Sequence, residues 1–270
     1  MARLIEITDP ADERLADFRD LSRADRRPDR PGGRGLVIAE GVVVVRRLVA
    51  SPYPVRALLG VRRRVEELAE DLVGLDVPAY VASAEVMAEV VGFHLNRGVL
   101  AAADRAAQPT AAELADPGRG RRCLAVLEGV GDHENLGAMF RNAAALGVDG
   151  VLLGAGCADP LYRRSVRVSM GHVLRVPFAV LEPWPQGLDM LRDNGFRVVA
   201  LTPRADSVPL RDAGLDRGRV ALLLGSEGPG LTEEAIAAAD SAVRIPMASG
   251  VDSLNVATAA AIAFHAAARP

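Results

Sequence analysis

The sequence contains no lysine, only two cysteines and no long apolar run. Cys123 and Cys157 are too few for a disulfide scaffold or a cysteine-based zinc site, and we expect both to be reduced core residues. The four histidines lack the spacing of metal ligands such as H-E-x-x-H, so no metal is expected. No apolar stretch approaches the roughly 20 residues of a membrane helix, and the N-terminus is acidic where a signal peptide would be apolar. These absences predict a cytoplasmic protein that contacts neither a metal nor a membrane.

All 32 basic residues are therefore arginine, against 35 acidic residues and a formal net charge of −3. This balance excludes a polycation that binds nucleic acid indiscriminately. Arginine forks nevertheless match phosphates and base edges, so clustered arginines are candidate RNA contacts. The alternative is a compositional bias in which these arginines only solvate the surface. The clusters are Arg23, Arg26, Arg27, Arg30 and Arg34, then Arg62 to Arg64, then Arg119, Arg121 and Arg122, and finally Arg163, Arg164 and Arg167.

The N-terminal part of the chain falls into three stretches. About 35 residues rich in Arg, Asp, Pro and Gly predict a partly mobile arm. From there to about residue 105, strand patterns ("GLVIAE", "VRALLGV", "VPAYVA") alternate with helix patterns ("GVVVVRRLVA", "RRRVEELAEDL" and a helix from Ser83), which predicts a small α/β domain. Residues 106–121 have the Pro, Ala and Gly content of a linker. We therefore predict an N-terminal domain over residues 1–105 and a second domain over residues 122–270.

The second domain continues in strand and helix alternation, from "CLAVLEGV" to a final Ala-rich helix. Short, nearly continuous apolar strands such as "VALLLG" are typical of a parallel sheet covered on both faces. In open α/β sheets, ligands bind outside the carboxyl ends of the strands. The loops that follow strands are therefore the candidate sites, and three of them have unusual polar content.

The first candidate loop is "GVGDHENLGAMFRNAAALG", residues 129–147. Glu134 stands where a dinucleotide fingerprint requires its third glycine, which excludes the NAD interpretation. Asn135 is a good helix N-cap, and capping alone would explain it. Arg141 lies six residues farther along, next to apolar positions predicted to be buried, so this cation predicts a site or a subunit interface. The alternative is an ordinary surface arginine.

The second candidate loop is "LLLGSEGPGLTEEAI", residues 222–236. Its glycines leave backbone exposed to the close approach of a ligand. The loop lacks the lysine of a phosphate-binding loop, and Glu227 would repel phosphate, so a neutral or cationic ligand is favoured. The alternative is a plain turn into a helix that Thr232 caps.

The third candidate loop is "IPMASGVDSLNVATAAAI", in which Ser253 and Asn255 flank Leu254 ahead of the Ala-rich helix. On its own this segment is also explained as a loop with Ser253 as the helix cap. The order and spacing of the three loops together are far more specific than any one of them.

Taken together, the three loops resemble the signature motifs of the SpoU (TrmH-like) branch of the SPOUT methyltransferases, over residues 122 to 270. These enzymes transfer a methyl group from S-adenosylmethionine to a ribose 2′-hydroxyl in RNA. The resemblance implies a C-terminal SPOUT domain with a parallel sheet and a deep trefoil knot, preceded by a small α/β substrate-recognition domain. It also implies a homodimer with its active site at the interface. "HLNRGVLAAAD" is similar to the element that closes the small domain, where the family often has Gln and this chain has Arg97 before Gly98.

The motif match also implies roles for individual residues. Backbone at Gly225, Ile245 and Leu254 would hold the adenine and ribose of the cofactor, and the segment after "VVALT" would close one side. We expect Arg141 to contact the target ribose or its phosphate as a positioning group, since arginine keeps its proton in proteins and is a poor base. The implied cofactor-binding residues are Leu201, Thr202, Gly225, Ser226, Gly230, Ile245, Met247, Ser253 and Leu254. The implied catalytic residues are Arg141, Asn135, Ser253, Asn255 and Glu227.

The expected substrate is a structured site in RNA with an accessible 2′-hydroxyl. A separate N-terminal domain and the arginine-rich arm favour ribosomal RNA of the large subunit. Transfer RNA is the alternative substrate. A non-catalytic RNA-binding or ribosome assembly factor that keeps the fold is the alternative from a different functional class.

Overall fold

The computed structural model describes residues 2–21, 35–120 and 123–268 of the 270-residue chain. The chain forms two compact units. The first contains Met1–Ala107 and Asp159–Arg175, and the second contains Gln108–Ala158 and Val176–Pro270. None of the helices in the described part of the chain combines the length and apolar character that a membrane crossing requires.

The first unit is built on a five-stranded sheet with the order β1-β4-β3-β5-β2. Strand β4 runs parallel to its two neighbours, whereas β5 is antiparallel to both β3 and β2. The strands are β1 (Arg3–Glu6), β2 (Val37–Glu40), β3 (Val55–Gly60), β4 (Pro78–Val81) and β5 (Val99–Ala103). The helices of its N-terminal part are α1 (Val42–Val49), α2 (Arg62–Glu66) and α3 (Ala84–Val91). This alternation confirms the strands and helices predicted between residues 36 and 105.

Residues 2–21 do not form the predicted mobile arm. Strand β1 pairs with β4 at the sheet edge, and the 3-10 helix Glu13–Phe18 fully buries Leu15 and Phe18 in the core. The prediction relied on the polar composition of the whole stretch, but a few apolar side chains are enough to anchor it. Residues 22–34 of the predicted arm lie outside the described residues.

The segment predicted to be a linker contains a helix, α4 (Ala111–Ala115). Thr110 and Glu113 form a capping box at its start, with the Glu113 backbone N–H donating to the Thr110 hydroxyl over 3.2 Å. Leu114 and Ala115 are fully buried in the core of the second unit. This part of the segment is therefore packed, because the apolar side chains of α4 are buried in the core of the second unit.

The second unit is built on a seven-stranded sheet with the order β10-β12-β9-β11-β6-β7-β8, in which every pair is parallel. This confirms the predicted parallel sheet. Its strands are β6 (Cys123–Leu127), β7 (Gly150–Leu153), β8 (Phe178–Val180), β9 (Phe196–Leu201), β10 (Val208–Pro209), β11 (Arg219–Leu224) and β12 (Ser241–Arg244). The remaining helices of the chain are α5 (His133–Ala145), α6 (Arg163–Val168, in the first unit), α7 (Leu188–Asp193), α8 (Glu233–Ala237) and α9 (Val256–Ala267).

The strand order brings three separate loops together. Strands β12, β9 and β11 are neighbours, and Leu201 of β9 is in register with Val243 of β12 and Leu224 of β11. Because the strands are parallel, the loops that follow them leave the same edge of the sheet. The second and third candidate loops therefore meet the segment after β9.

Candidate functional site

A cleft of about 730 Å³ opens at this edge of the second unit, between the segments that follow β9, β11 and β12. All nine residues that the resemblance implies for cofactor binding line it, and so does Glu227. Five further residues line the cleft that are not among the implied site residues: Pro203, Leu224, Gly228, Val256 and Ala259. Helical spacing could have found the last of these, since Ala259 follows Val256 by three positions in α9 and so lies on the same face.

The glycine loop after β11 folds tightly back on itself. Ser226 and Gly230 form an isolated antiparallel bridge, in which the Gly230 N–H donates to the Ser226 carbonyl over 3.2 Å. A Cβ atom at Gly225 would lie 2.2 Å from the carbonyl carbon of Gly230, far inside any real contact. Glycine at position 225 is therefore required for the loop to close, which leaves its backbone facing the cleft.

Glu128 anchors the far end of this loop. The carboxylate follows β6 and is buried, with 5% of the residue exposed. It accepts hydrogen bonds from the Thr232 N–H (2.9 Å), the Thr232 hydroxyl (2.8 Å) and the Trp184 indole N–H (2.6 Å). Thr232 also caps α8, as predicted, by accepting from the Ala235 N–H. Glu128 was not among the predicted site residues, although an acid directly after the apolar run "CLAVL" is a usable signal.

Asn135 is not the helix cap that its residue type suggested. Asp132 caps α5, accepting from the N–H groups of Glu134 (2.9 Å) and Asn135 (2.8 Å). The Asn135 side chain is thereby left to donate to the Glu227 carboxylate over 2.9 Å and to accept from the Asn255 amide over 2.8 Å. One amide thus joins the glycine loop after β11 to the loop after β12.

Ser253 is likewise not the cap of α9. Asn255 caps this helix, and its side-chain oxygen accepts from the N–H groups of Ala257 (3.0 Å) and Thr258 (3.3 Å). Ser253 is exposed and lines the cleft. Both segments offer several residue types that can cap a helix, and the backbone geometry chooses among them.

Arg141 does not line the cleft of its own chain. It is exposed on α5, while its neighbours Met139, Phe140 and Ala143 are buried as predicted and Ala144 is half-buried. Six residues correspond to about 600° of rotation, so Arg141 and Asn135 lie on different faces of the helix. Among the described residues no carboxylate pairs with this guanidinium. The structure therefore brings together four of the five implied catalytic residues and leaves Arg141 apart.

The lining of the cleft favours a ligand with an apolar ring system and positive charge. Eight of its side chains are apolar: Leu201, Pro203, Leu224, Ile245, Met247, Leu254, Val256 and Ala259. Glu227 is the one charged side chain among its described lining residues. Apolar walls with a few polar groups are typical of cofactor sites, and a carboxylate stabilises a nearby cation.

Neither cysteine is a candidate nucleophile. Cys123 is buried at the start of β6, and burial raises the pKa of its thiol to about 12. Burial also raises the pKa of the Cys157 thiol, which donates to the Leu127 carbonyl over 3.2 Å. Because the thiolate is the reactive form, both cysteines are inert at neutral pH.

The arginine clusters differ in how far they are free to bind RNA. Arg163 is only one-fifth exposed; it pairs with buried Glu40 over 3.3 Å and stacks 4.5 Å from the Phe93 ring centre, so it holds α6 in the first unit. Burial lowers the pKa of Arg163, against the opposing effect of Glu40. Of the candidate RNA contacts, Arg163 is therefore one that the structure uses to hold the first unit together. Of the other clusters, Arg23, Arg26, Arg27, Arg30, Arg34, Arg121 and Arg122 lie outside the described residues.

Comparison with known proteins identifies the family. Residues 122–265 match the SpoU rRNA Methylase family. An uncharacterized tRNA/rRNA methyltransferase of Mycobacterium tuberculosis is 57% identical over 262 residues, which are 96% of this chain and 90% of the relative. A 23S rRNA (adenosine(1067)-2'-O)-methyltransferase of Streptomyces azureus is 34% identical over 158 residues, 58% of each chain. The crystal structure of an AdoMet-bound rRNA methyltransferase from Sinorhizobium meliloti is similar with a TM-score of 0.79 and 27% identity, covering 98% of this chain and 97% of that one.

The family match extends over more than half of the sequence, and the mycobacterial relative aligns with nearly all of it. Within the matched region lie the glycine loop, the bridging Asn135 and the loop before α9, which together form the cleft. Sequence, fold and site geometry agree, and the chain belongs to the SpoU rRNA methylase family.

Proposed function

We propose that this protein transfers a methyl group from S-adenosylmethionine to a ribose 2′-hydroxyl of RNA, with large-subunit ribosomal RNA as its substrate. The observation that carries the proposal is the single cleft lined by all nine residues implied for the cofactor. The names of two relatives support it, since one acts on 23S rRNA and another holds AdoMet. Transfer RNA stays the second candidate substrate, because the most similar of these relatives is named for both RNAs. A ribosomal RNA substrate implies a cytoplasmic protein.

The cleft fits this cofactor chemically. S-adenosylmethionine supplies a methyl carbon bonded to a cationic sulfur. The apolar wall formed by Leu201, Ile245 and Leu254 suits an adenine ring, and the backbone of Gly225, which lines the same cleft, is the proposed hydrogen-bonding group for the cofactor. Glu227 places a negative charge at the same wall, which stabilises a sulfonium and disfavours a phosphate.

Asn135 and Asn255 hold the cleft in shape. Their amide pair connects the two loops that contribute most of the lining, and Asn135 also fixes the Glu227 carboxylate. In-line transfer requires the reacting atoms to be aligned within a fraction of an ångström, so rigid loops contribute to rate as well as affinity. These residues are proposed as positioning groups, and Ser253, which is exposed and lines the cleft, as a contact to the RNA.

Arg141 is proposed to hold the target ribose or its phosphate in the cleft of a second copy of the chain. Its guanidinium is exposed, lies away from its own cleft and has no acidic partner in the described ranges. A homodimer with its active site at the interface accounts for a free cation in this position. Its fork suits a phosphate or the oxygen of the ribose, and the charge stabilises negative charge that develops as the hydroxyl proton leaves.

A trefoil knot in the second unit is part of the proposal. After β12, the chain crosses back over the carboxyl ends of β9 and β11, and α9 then packs on α5 and β11. This return path is an uncommon connection in an open sheet. The family resemblance implies that the returning segment, residues 245–255, threads through the preceding loop.

We expect Arg141→Ala to lose methyl transfer to RNA by at least about 100-fold while S-adenosylmethionine binds nearly as in the wild type. Arg141 lies outside its own cleft, so its removal leaves the cofactor walls unchanged. Radiolabel transfer measures the first quantity and isothermal titration calorimetry the second. Retained activity would remove Arg141 from the mechanism. Cofactor binding by the wild type without methylation of any cellular RNA would favour the non-catalytic factor.

Mixed dimers test which copy supplies Arg141. Arg141→Ala keeps an intact cleft, whereas Gly225→Ala keeps Arg141 but distorts the glycine loop. If Arg141 acts across the interface, co-expression of the two inactive variants restores about a quarter of wild-type activity, because half of randomly formed dimers are mixed and each has one complete site. If Arg141 acts within its own chain, no mixed dimer contains a complete site and activity stays absent.

A further inference from the structure

A second cavity, of about 670 Å³, lies in the first unit and is dominated by arginine. Three of its lining side chains are cationic, namely Arg46, Arg64 and Arg97, and one is anionic, Glu67. The rest of the lining is Gly41, Val42, Val43, Asn96 and Met170. This charge balance is opposite to that of the cofactor cleft, so the two cavities suit different ligands.

Two glycines make room for the arginine stems in this cavity. A Cβ atom at Gly41 would lie 2.8 Å from Cδ of Arg97, and one at Gly98 would lie 3.3 Å from Cγ of Arg64. Both glycines have positive φ angles, +90° and +67°. The side chains of Arg97 and Arg64 therefore lie directly on the backbone, which restricts their stems and keeps their guanidinium groups at the cavity.

The three arginines of the cavity differ in the hydrogen bonds and ion pairs that they make with the protein. The Arg46 guanidinium bonds the Asp71 carboxylate over 2.8 Å and the Glu67 carbonyl over 3.1 Å. Arg64 pairs with the Glu67 carboxylate over 2.7 Å, which neutralises the one acid of the wall. Arg97 is exposed, and within the described ranges no carboxylate or carbonyl accepts from it. Its donors are thus free for a ligand.

We propose that this cavity binds the phosphate backbone of the substrate RNA, with Arg97 as the residue that contacts the phosphate. The guanidinium fork offers parallel N–H donors that match two phosphate oxygens. Asn96 adds a neutral hydrogen-bonding group beside it, and Val43, 45% exposed, offers an apolar surface for a ribose or base. The identity of the polymer rests on the proposed function, whereas the anion-binding chemistry rests on the cavity alone.

Arg97→Gln tests the site, with Arg3→Gln as its control. Arg3 is an exposed arginine in β1 of the same unit, belongs to none of the arginine clusters and does not line the cavity. The probe is purified 23S rRNA, titrated by filter binding onto the full-length chain without S-adenosylmethionine, between about 50 and 200 mM salt. We expect Arg97→Gln to weaken binding about tenfold and to lower the salt slope by about one, with little change for Arg3→Gln. Equal effects of both substitutions, or no effect of Arg97→Gln, would overturn the proposal.

Arg97→Lys separates the contribution of the positive charge from that of the two parallel N–H donors of the guanidinium. It should recover the salt slope of the wild type but only part of the affinity, because an ammonium cannot make the paired contact. A slope as low as that of Arg97→Gln would argue against a phosphate contact. Thermal unfolding and cofactor titration of each variant should match the wild type, since Arg97 is exposed and remote in sequence from the cofactor loops. If binding depends on Arg97 but no RNA is methylated, the proposed function fails while the phosphate site stands.

Discussion

The shape of the cleft after β11 depends on a single residue, Gly225. Strand β11 ends at Leu224, and the next residue must let the chain turn so sharply that Gly230 lies against it. Even the smallest side chain would collide with backbone, which cannot move away as a flexible side chain can. The requirement comes from the close approach of two loop segments and not from the φ angle at this position.

We predict that Gly225→Ala weakens S-adenosylmethionine binding by more than about tenfold and lowers the free energy of unfolding by about 1–3 kcal/mol, because overpacking forces backbone shifts. Calorimetric titration and chemical denaturation measure the two effects. Gly131→Ala is the control, since an added Cβ there meets nothing closer than 3.9 Å. Cofactor affinity of Gly225→Ala equal to that of Gly131→Ala would contradict the role of the loop.

The sequence predicts that a helix is capped, but it does not predict which of several residues forms the cap. The residue types around both helix starts were correctly identified as capping types, but Asp132 and Asn255 cap the helices in place of Asn135 and Ser253. Within three positions, several side chains can accept the same N–H groups. The choice depends on where the loop backbone turns, which the sequence alone does not reveal.

At the scale of secondary-structure elements, single side chains join the loops of the second unit to neighbouring helices and loops. Glu128, just after β6, bonds the start of α8 through Thr232 and the β8–α7 connection through Trp184. Asn135 of α5 joins the glycine loop to the cap of α9. Each of these contacts links elements that are distant in sequence, so the cleft depends on several elements at once.

We predict that Glu128→Gln raises the dissociation constant for S-adenosylmethionine and costs about 1–3 kcal/mol of stability. Whichever way its amide is oriented, the NH₂ group of Gln faces an N–H donor of Thr232 or Trp184, so one buried donor loses its acceptor. Glu234→Gln is the control, as Glu234 is an exposed acid in the first turn of α8. The measurement is a cofactor titration beside thermal unfolding. Unchanged cofactor binding in Glu128→Gln would show that the anchor does not shape the cleft.

The sequence predicted most strands and helices, because short apolar strands and amphipathic helices carry strong local signals. The elements that it missed include β1 and α4, where a few apolar residues lie within polar or alanine-rich stretches. In both cases burial comes from pairing with distant parts of the chain, Pro78–Val81 for β1 and the core of the second unit for α4. The local composition of a stretch does not indicate which distant segments it will pair with or pack against.

At the scale of the whole molecule, the two units are not continuous stretches of sequence. Asp159–Arg175 lies between β7 and β8 in sequence but belongs to the first unit. Arg163 and Glu40 form part of the contact that places it there, and no periodicity in the sequence marks this pairing. Truncation at residue 105 would therefore leave α6 without its partners, so point substitutions such as Arg97→Gln test RNA binding more cleanly than domain deletion.

The residues that the resemblance implies for the cofactor lie in one cleft for a reason at the scale of the whole molecule. The order β12-β9-β11 makes the carboxyl ends of three strands adjacent, although their loops are spread over some fifty residues of sequence. Motif order in the sequence could indicate the family resemblance and hence this gathering. It could not indicate that Arg141 lies outside the cleft, because this depends on which face of α5 is turned towards the cleft.

The central claim, ribose methylation of large-subunit ribosomal RNA, is tested most directly by incubating the protein with radiolabelled S-adenosylmethionine and separated rRNA and tRNA from a strain lacking the gene. We predict label in 23S rRNA at one position that resists alkaline cleavage, because a methylated 2′-oxygen can no longer attack the neighbouring phosphate. Label confined to tRNA would contradict the proposed substrate. Label at a position that alkali still cleaves, or no label despite confirmed cofactor binding, would contradict ribose methylation itself.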